Sequence, residues 1–231
     1  MPMMYFDPSY LLYMLPGLAL SLFAQWYVSS TFRRFSTVPL STGLSGAEVA
    51  AAVLQRSGVL DVAIEETQGF LSDHYDPSSK TLRLSPEVYR SRSVSAAGVA
   101  AHEAGHAIQH AFRWGLMPVR QALVLPARIG SQLSFLAIIL GLTLHILGLA
   151  WLGVGLFTML LLFEIVTLPI EINASTRARA QLVAGGLVGP EDLPGVTRVL
   201  KAAALTYVAA IVATALQLVY FVTRIRQSEE R

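Results

Sequence analysis

The sequence has no cysteine. That excludes a disulfide framework, a cysteine-ligated metal and thiol catalysis together, and it suits a reducing compartment. Charge is scarce as well. Asp, Glu, Lys and Arg make up 14% of the 231 residues against 54% hydrophobic, with a mean hydropathy of +0.54. A soluble domain usually carries about 25% charged residues, so composition argues against a soluble protein. With a net charge of only +2 and no dense basic tract, nothing suggests a nucleic-acid partner. No Lys or Arg precedes the first apolar run and no small-x-small site follows it, so it reads as an uncleaved anchor and not as a signal peptide.

Four apolar stretches, near 8–30, 131–150, 151–170 and 202–223, approach or exceed the roughly 20 residues a bilayer crossing requires. In the first, Pro16-Gly17 is expected to bend the helix, while Tyr5, Phe6, Tyr10, Tyr13, Trp26 and Tyr27 suit headgroup level at its two ends. Residues 131–170 contain no Lys, Arg or Asp and read as a helical hairpin turning around 148–153, with His145 deep in its first arm and Pro169 at its exit. The expected organisation is an anchor at 1–30, a polar α+β region at 31–130, the hairpin at 131–170, a polar segment at 171–201, a last span at 202–223 and a tail at 224–231. Fourteen of the 17 Lys and Arg residues lie in 31–130 and 171–201. The positive-inside rule then places both polar segments in the cytoplasm.

Within the polar region, Ser45-Gly-Ala-Glu48 is a capping box that starts a helix ended by Gly58. Residues 61–66 read as a strand, and 70–75 with 80–84 as a hairpin around the turn Asp76-Pro-Ser-Ser79. Ser85-Pro86 starts a short helix. Ser93 or Ser95 caps the next, which runs to about Phe112, and 114–126 reads as a connector containing a short helix. Gly185-Gly186, Gly189-Pro190 and Pro194-Gly195 mark a loop, after which a long helix starts at Val196.

The helix that ends near Phe112 carries His102-Glu103-Ala-Gly-His106, an H-E-x-x-H pattern. Residues four apart share a helix face, so the two imidazoles can hold one zinc ion with Glu103 positioned as general base. A third protein ligand is needed. His110 is nearest, but it lies about 12 Å beyond His102 along a continuous helix, with no glycine to break the helix, and reads better as a neighbouring polar contact. Glu164 and Glu171 on the third span are the stronger candidates. An ionisable group inside an apolar span is usually functional or paired, whereas Glu171 lies at the membrane boundary, where a helix in water can reach it. Geometry favours Glu171. His74 reads as a solvated loop residue and His145 as a helix-packing one.

Several motifs occur together and in order: Ser72-Asp-His-Tyr-Asp-Pro77, Lys80-Thr-Leu-Arg-Leu-Ser-Pro-Glu-Val-Tyr89, Gly98-Val-Ala-Ala-His-Glu-Ala-Gly-His-Ala-Ile-Gln-His110, Leu168-Pro-Ile-Glu-Ile-Asn-Ala-Ser175 and Ala202-Ala-Ala-Leu-Thr-Tyr-Val-Ala209. In this the chain resembles the YugP-type neutral zinc metallopeptidases of bacterial membranes, which are similar to the HtpX-like gluzincins. The resemblance implies a mainly α membrane protein of about four transmembrane helices, with a zincin-like cytoplasmic α+β region holding a short β-hairpin and the HExxH helix. It implies one zinc ion per chain held by His102, His106 and Glu171, with Glu103 as general base in peptide hydrolysis at the cytoplasmic face of a bacterial plasma membrane. The gluzincin pattern E-x-x-A-D matches at Glu171 and Ala174 but has Ser175 in place of Asp. A hydroxyl can still orient a histidine N–H, though without a charge. Tyr207 and Arg177 are candidate donors to the oxyanion. Expected partners are a peptide or protein substrate, membrane proteins included, and the lipid bilayer. The oligomeric state stays open, although Ala202–Ala204, Ala209, Ala210 and Ala213 suit close helix contacts. Two alternatives remain, an intramembrane zinc protease and a non-catalytic membrane scaffold that kept the fold.

Overall fold

A computed structural model describes residues 8–230; Tyr5 and Phe6 of the aromatic set lie outside the described residues. Its elements in chain order are α1 (Pro8–Ser36), α2 (Gly46–Arg56), β1 (Ala63–Glu66), β2 (His74–Asp76), β3 (Thr81–Leu84), α3 (Pro86–Tyr89), α4 (Val94–Ala111), α5 (Met117–Thr143), α6 (Leu147–Ala184) and α7 (Leu193–Glu229). The protein is mostly helical, and α1, α5, α6 and α7 are each long and apolar enough to cross a membrane. The chain forms two compact units. One combines Pro118–Leu168 with the described parts of 1–25 and 206–231; the other combines Trp26–Met117 with Pro169–Leu205.

The first unit is helical. Ile138, Ala150, Val154, Phe157, Phe221 and Ile225 form its buried cluster, with the Phe157 and Phe221 rings edge to face at 5.5 Å. Much of its apolar surface faces outward, as at Leu12, Leu15, Leu18 and Leu22, which suits a lipid environment. The helices run on through Pro16 and Pro126. The hairpin turn lies at 144–146, not around 148–153. Its geometry is a Schellman cap, in which the Ile146 N–H donates to the Gly141 carbonyl at 2.8 Å and His145 takes the left-handed position at φ +57°. His145 is therefore an exposed turn residue and not a packing residue inside a span. Gly153 instead serves close packing: a Cβ there would come within 2.7 Å of the Ser134 carbonyl oxygen. Small residues let apolar helices approach backbone to backbone, so a glycine in such a run need not mark a turn. The expected connector at 114–126 is likewise helical from Met117 and continuous with the span.

The second unit is built on a three-stranded sheet of order β1-β3-β2. β3 runs parallel to β1 (Ala63 beside Thr81) and antiparallel to β2 (His74 beside Arg83). α2 begins with the expected capping box, since Ser45 Oγ accepts from the Glu48 N–H and Glu48 accepts from the Ser45 N–H at 2.7 Å. Ser93 caps α4. Because α4 is rich in Ala and Gly, neighbours close on it from most sides, and Val49, Val53, Leu82, Leu84 and Val88 share its core with Leu182 of α6. The end of α6 and the start of α7 are tied to the α1–α2 loop by Asp192, which accepts from Ser41 Oγ at 2.6 Å and from the Gly189 N–H at 2.9 Å.

Candidate metal centre

Three side chains from two helices meet in the second unit. His102 and His106, four apart on α4, stack edge to face with ring centroids 4.7 Å apart. Glu171 approaches them from α6, which runs unbroken past Pro169. Its Oε2 lies 3.1 Å from His102 Nε2 and 3.3 Å from His106 Nε2. These ligand atoms fall within 4.8 Å of one another, a grouping that could hold a metal ion. Zinc bonds of about 2.0–2.1 Å in tetrahedral array separate neighbouring ligand atoms by roughly 3.3 Å. The nitrogen-to-oxygen spacings match that edge.

Gln109 fixes the side of the His106 ring that carries a proton. Gln109 is fully buried, and its Nε2 donates to the Ile170 carbonyl at 2.9 Å and to Asn173 Oδ1 at 3.0 Å. A carbonyl can only accept, so the amide is oriented with Oε1 toward His106 Nδ1, 3.0 Å away. His106 must then carry its proton on Nδ1, which frees Nε2 to bind a metal. On the other histidine, Ser175 Oγ lies 3.1 Å from Nδ1. Burial alone would lower the His106 pKa, but the Glu171 carboxylate, the Glu103 charge and the Gln109 oxygen together hold it above its ordinary value.

Close approach of the two helices depends on Gly105. A Cβ there would come within 2.8 Å of the Ala174 carbonyl oxygen, so only glycine lets α4 lie this close to α6. Glu103 faces the same region and is almost enclosed. Its charge acts on His106 and also on Asp73. Asp73 accepts from the Ser85 N–H at 2.7 Å and from Ser85 Oγ at 3.1 Å, and burial pushes its carboxyl up to about 6.

The remaining sequence candidates lie as follows. His110 is one turn beyond His106, and its Nδ1 is 2.9 Å from the Tyr75 hydroxyl, outside the metal-binding group. His74 is an exposed residue of β2 that donates from Nδ1 to the Ser72 carbonyl at 2.8 Å. Glu164 accepts from the Thr214 hydroxyl at 3.0 Å, within the first unit. Arg177 Nε donates to Asn173 Oδ1 at 2.7 Å, and Tyr207 is half-buried on α7. Reading of the sequence missed Gln109, Asn173 and Gly105. Gln109 had a signal, being a polar residue three positions after His106 and so on the same side of the helix.

Residues 10–226 match a family described as "putative neutral zinc metallopeptidase". A curated relative from Bacillus subtilis (strain 168), named "Putative membrane protease YugP", is 42% identical over 206 residues, covering 89% of this chain and 92% of the relative. No solved structure matches.

Proposed function

The chain belongs to the neutral zinc metallopeptidase family, and from that premise we propose a membrane-anchored zinc endopeptidase of gluzincin type, centred on His102, His106 and Glu171 with one zinc ion per chain. Four apolar helices and a relative named as a membrane protease mark an integral membrane protein. The observation that carries the reading is the convergence of two imidazole Nε2 atoms and one carboxylate oxygen, with nitrogen-to-oxygen spacings of 3.1 and 3.3 Å that match the edge of a tetrahedral zinc site.

Held by His102, His106 and Glu171, a zinc ion would supply the positive charge that polarises a peptide carbonyl and lowers the pKa of a water toward about 7. The protein's own residues do the rest. Glu103, next to His102 in sequence and nearly enclosed, takes the proton from the attacking water and delivers it to the departing amine. Ser175 and Gln109 hold the two imidazoles with Nε2 toward the centre. Arg177, which lies on α6 beside Asn173, remains a candidate for stabilising the oxyanion.

The substrate is a peptide or protein, with membrane proteins the natural class for an enzyme held in the bilayer. The excess of Lys and Arg in 31–130 and 171–201 supports a site facing the cytoplasm of a bacterial plasma membrane. Because α4 packs among α2, α3 and the sheet, a surface position is better supported than an intramembrane one. Glu103→Gln tests the reading: the variant should retain stoichiometric zinc and lose peptide hydrolysis. Retained hydrolysis would remove Glu103 from its role, and a wild type that binds zinc without cleaving any peptide would favour the scaffold alternative.

A further inference from the structure

We propose that the groove between the end of α6 and the start of α7 binds one anionic phospholipid, with its phosphate between Arg179 and Lys201. The groove encloses about 220 Å³ and is lined on α6 by Ile172, Ser175, Thr176 and Arg179 and on α7 by Thr197, Leu200, Lys201 and Ala204. Drug-sized ligands occupy about 300–1,000 Å³, so this space suits a headgroup and the first carbons of a chain.

The lining is graded along the helices. Along each helix, Ile172 of α6 and Ala204 of α7 are the lining residues nearest the apolar stretches at 151–170 and 202–223. Arg179 lies seven residues past Ile172, about 10 Å farther along the axis. Ile172 is half exposed. The hydroxyl protons of Thr176 and Thr197 go to their own helices, on the Ile172 and Leu193 carbonyls at 2.8 and 2.7 Å. No carboxylate lines the groove, and among the described residues neither Arg179 nor Lys201 forms an ion pair. Arg179 at the end away from the apolar stretches, Lys201 about one turn from Ala204, and the aliphatic Ile172, Leu200 and Ala204 beside them match an amphiphile whose headgroup meets the cations and whose chain leaves past Ile172 and Ala204 toward the bilayer. A free phosphate would satisfy the cations only, and an acidic peptide would not need the gradient to follow the membrane direction. Basic pockets beside membrane helices recognise lipid headgroups on the same physical grounds. Ser175, which also contacts His102, would put the bound lipid one side chain from the candidate metal centre. The lipid site does not depend on peptidase activity.

Native mass spectrometry of the full chain, released from detergent micelles doped with phosphatidylglycerol or with phosphatidylcholine of the same acyl chains, tests the proposal. Wild type should retain phosphatidylglycerol preferentially, and Arg179→Gln/Lys201→Gln should weaken that retention about thirtyfold. Arg198→Gln, a neighbouring exposed cation outside the groove, should leave it unchanged, and Arg179→Lys/Lys201→Arg should restore it. Equal retention by the double Gln variant, or an equal loss in Arg198→Gln, would overturn the site. So would full competition by inorganic phosphate, which marks a simple anion site, or unchanged lipid retention with altered cleavage of acidic peptides, which marks a substrate subsite.

Discussion

Removal of the Gln109 amide isolates how much the metal centre depends on the side chain behind His106. In Gln109→Leu, the His106 Nδ1–H loses its 3.0 Å acceptor inside a closed core. One buried donor without a partner costs about 1–3 kcal/mol. The Ile170 carbonyl suffers less, since it sits in a helix with its own backbone donor, and Asn173 Oδ1 keeps Arg177. The metal pays separately. With nothing to hold the proton on Nδ1, the imidazole can rotate or change tautomer, and loss of such an orienting partner lowers metal affinity about 10–100-fold. Gln109→Glu separates the two effects. Its carboxylate still accepts from His106 but faces the Ile170 carbonyl and Asn173 Oδ1 with no hydrogen to give, so zinc affinity should hold while the metal-free protein melts earlier. Competition for zinc against a chromophoric chelator, run on the detergent-solubilised full chain beside melting of the metal-free form, measures both. If the Leu variant bound zinc as tightly as wild type while remaining folded, Gln109 would have no part in fixing the ligand.

Two further perturbations reach the same region from other sides. Gly105→Ala should gain about 1 kcal/mol of helix propensity yet lose about 1–3 kcal/mol to overpacking against the Ala174 backbone, with weaker zinc binding as α4 is pushed off α6; an equal or higher melting temperature with unchanged zinc affinity would refute the close contact. Asp73, with its carboxyl raised to about 6 from 3.8 by burial, holds a proton in the folded protein that the unfolded chain has already lost across that interval. Its contribution to stability is therefore greatest below about pH 4, falls by about 2–3 kcal/mol as pH rises to about 6, and is flat above. Asp73→Asn, which keeps an acceptor for Ser85, should lose this slope in denaturant melts compared between pH 4 and 7, and an unaltered slope would assign the titration to another group.

Much of the architecture could be read along the chain because it is encoded locally. Four apolar runs, the Ser45–Glu48 capping box and the His102–His106 spacing each depend on residues within a few positions of one another. Glycine misled where its local meaning is ambiguous: Gly148–Gly153 looked like a turn, but Gly153 serves a close helix crossing, while the turn itself is taken by His145 in a left-handed conformation that sequence disfavours. Proline misled in the same way at Pro126, inside a helix that continues.

The sequence by itself determined that two imidazoles share a helix face with a carboxylate between them, and that two more carboxylates lie on an apolar helix downstream. Periodicity alone does not choose between those two; the preference for Glu171 rests on its place at the membrane boundary. Glu164 and Glu171 are seven residues apart, on nearly one face and about 10 Å apart along α6, so periodicity treats them alike. The choice is made by the height at which α4 crosses α6. Contact at Gly105 and Ala174 brings both Nε2 atoms onto Glu171, while Glu164 takes the Thr214 hydroxyl instead. That height is a property of backbone packing between segments some seventy residues apart, and no local pattern carries it.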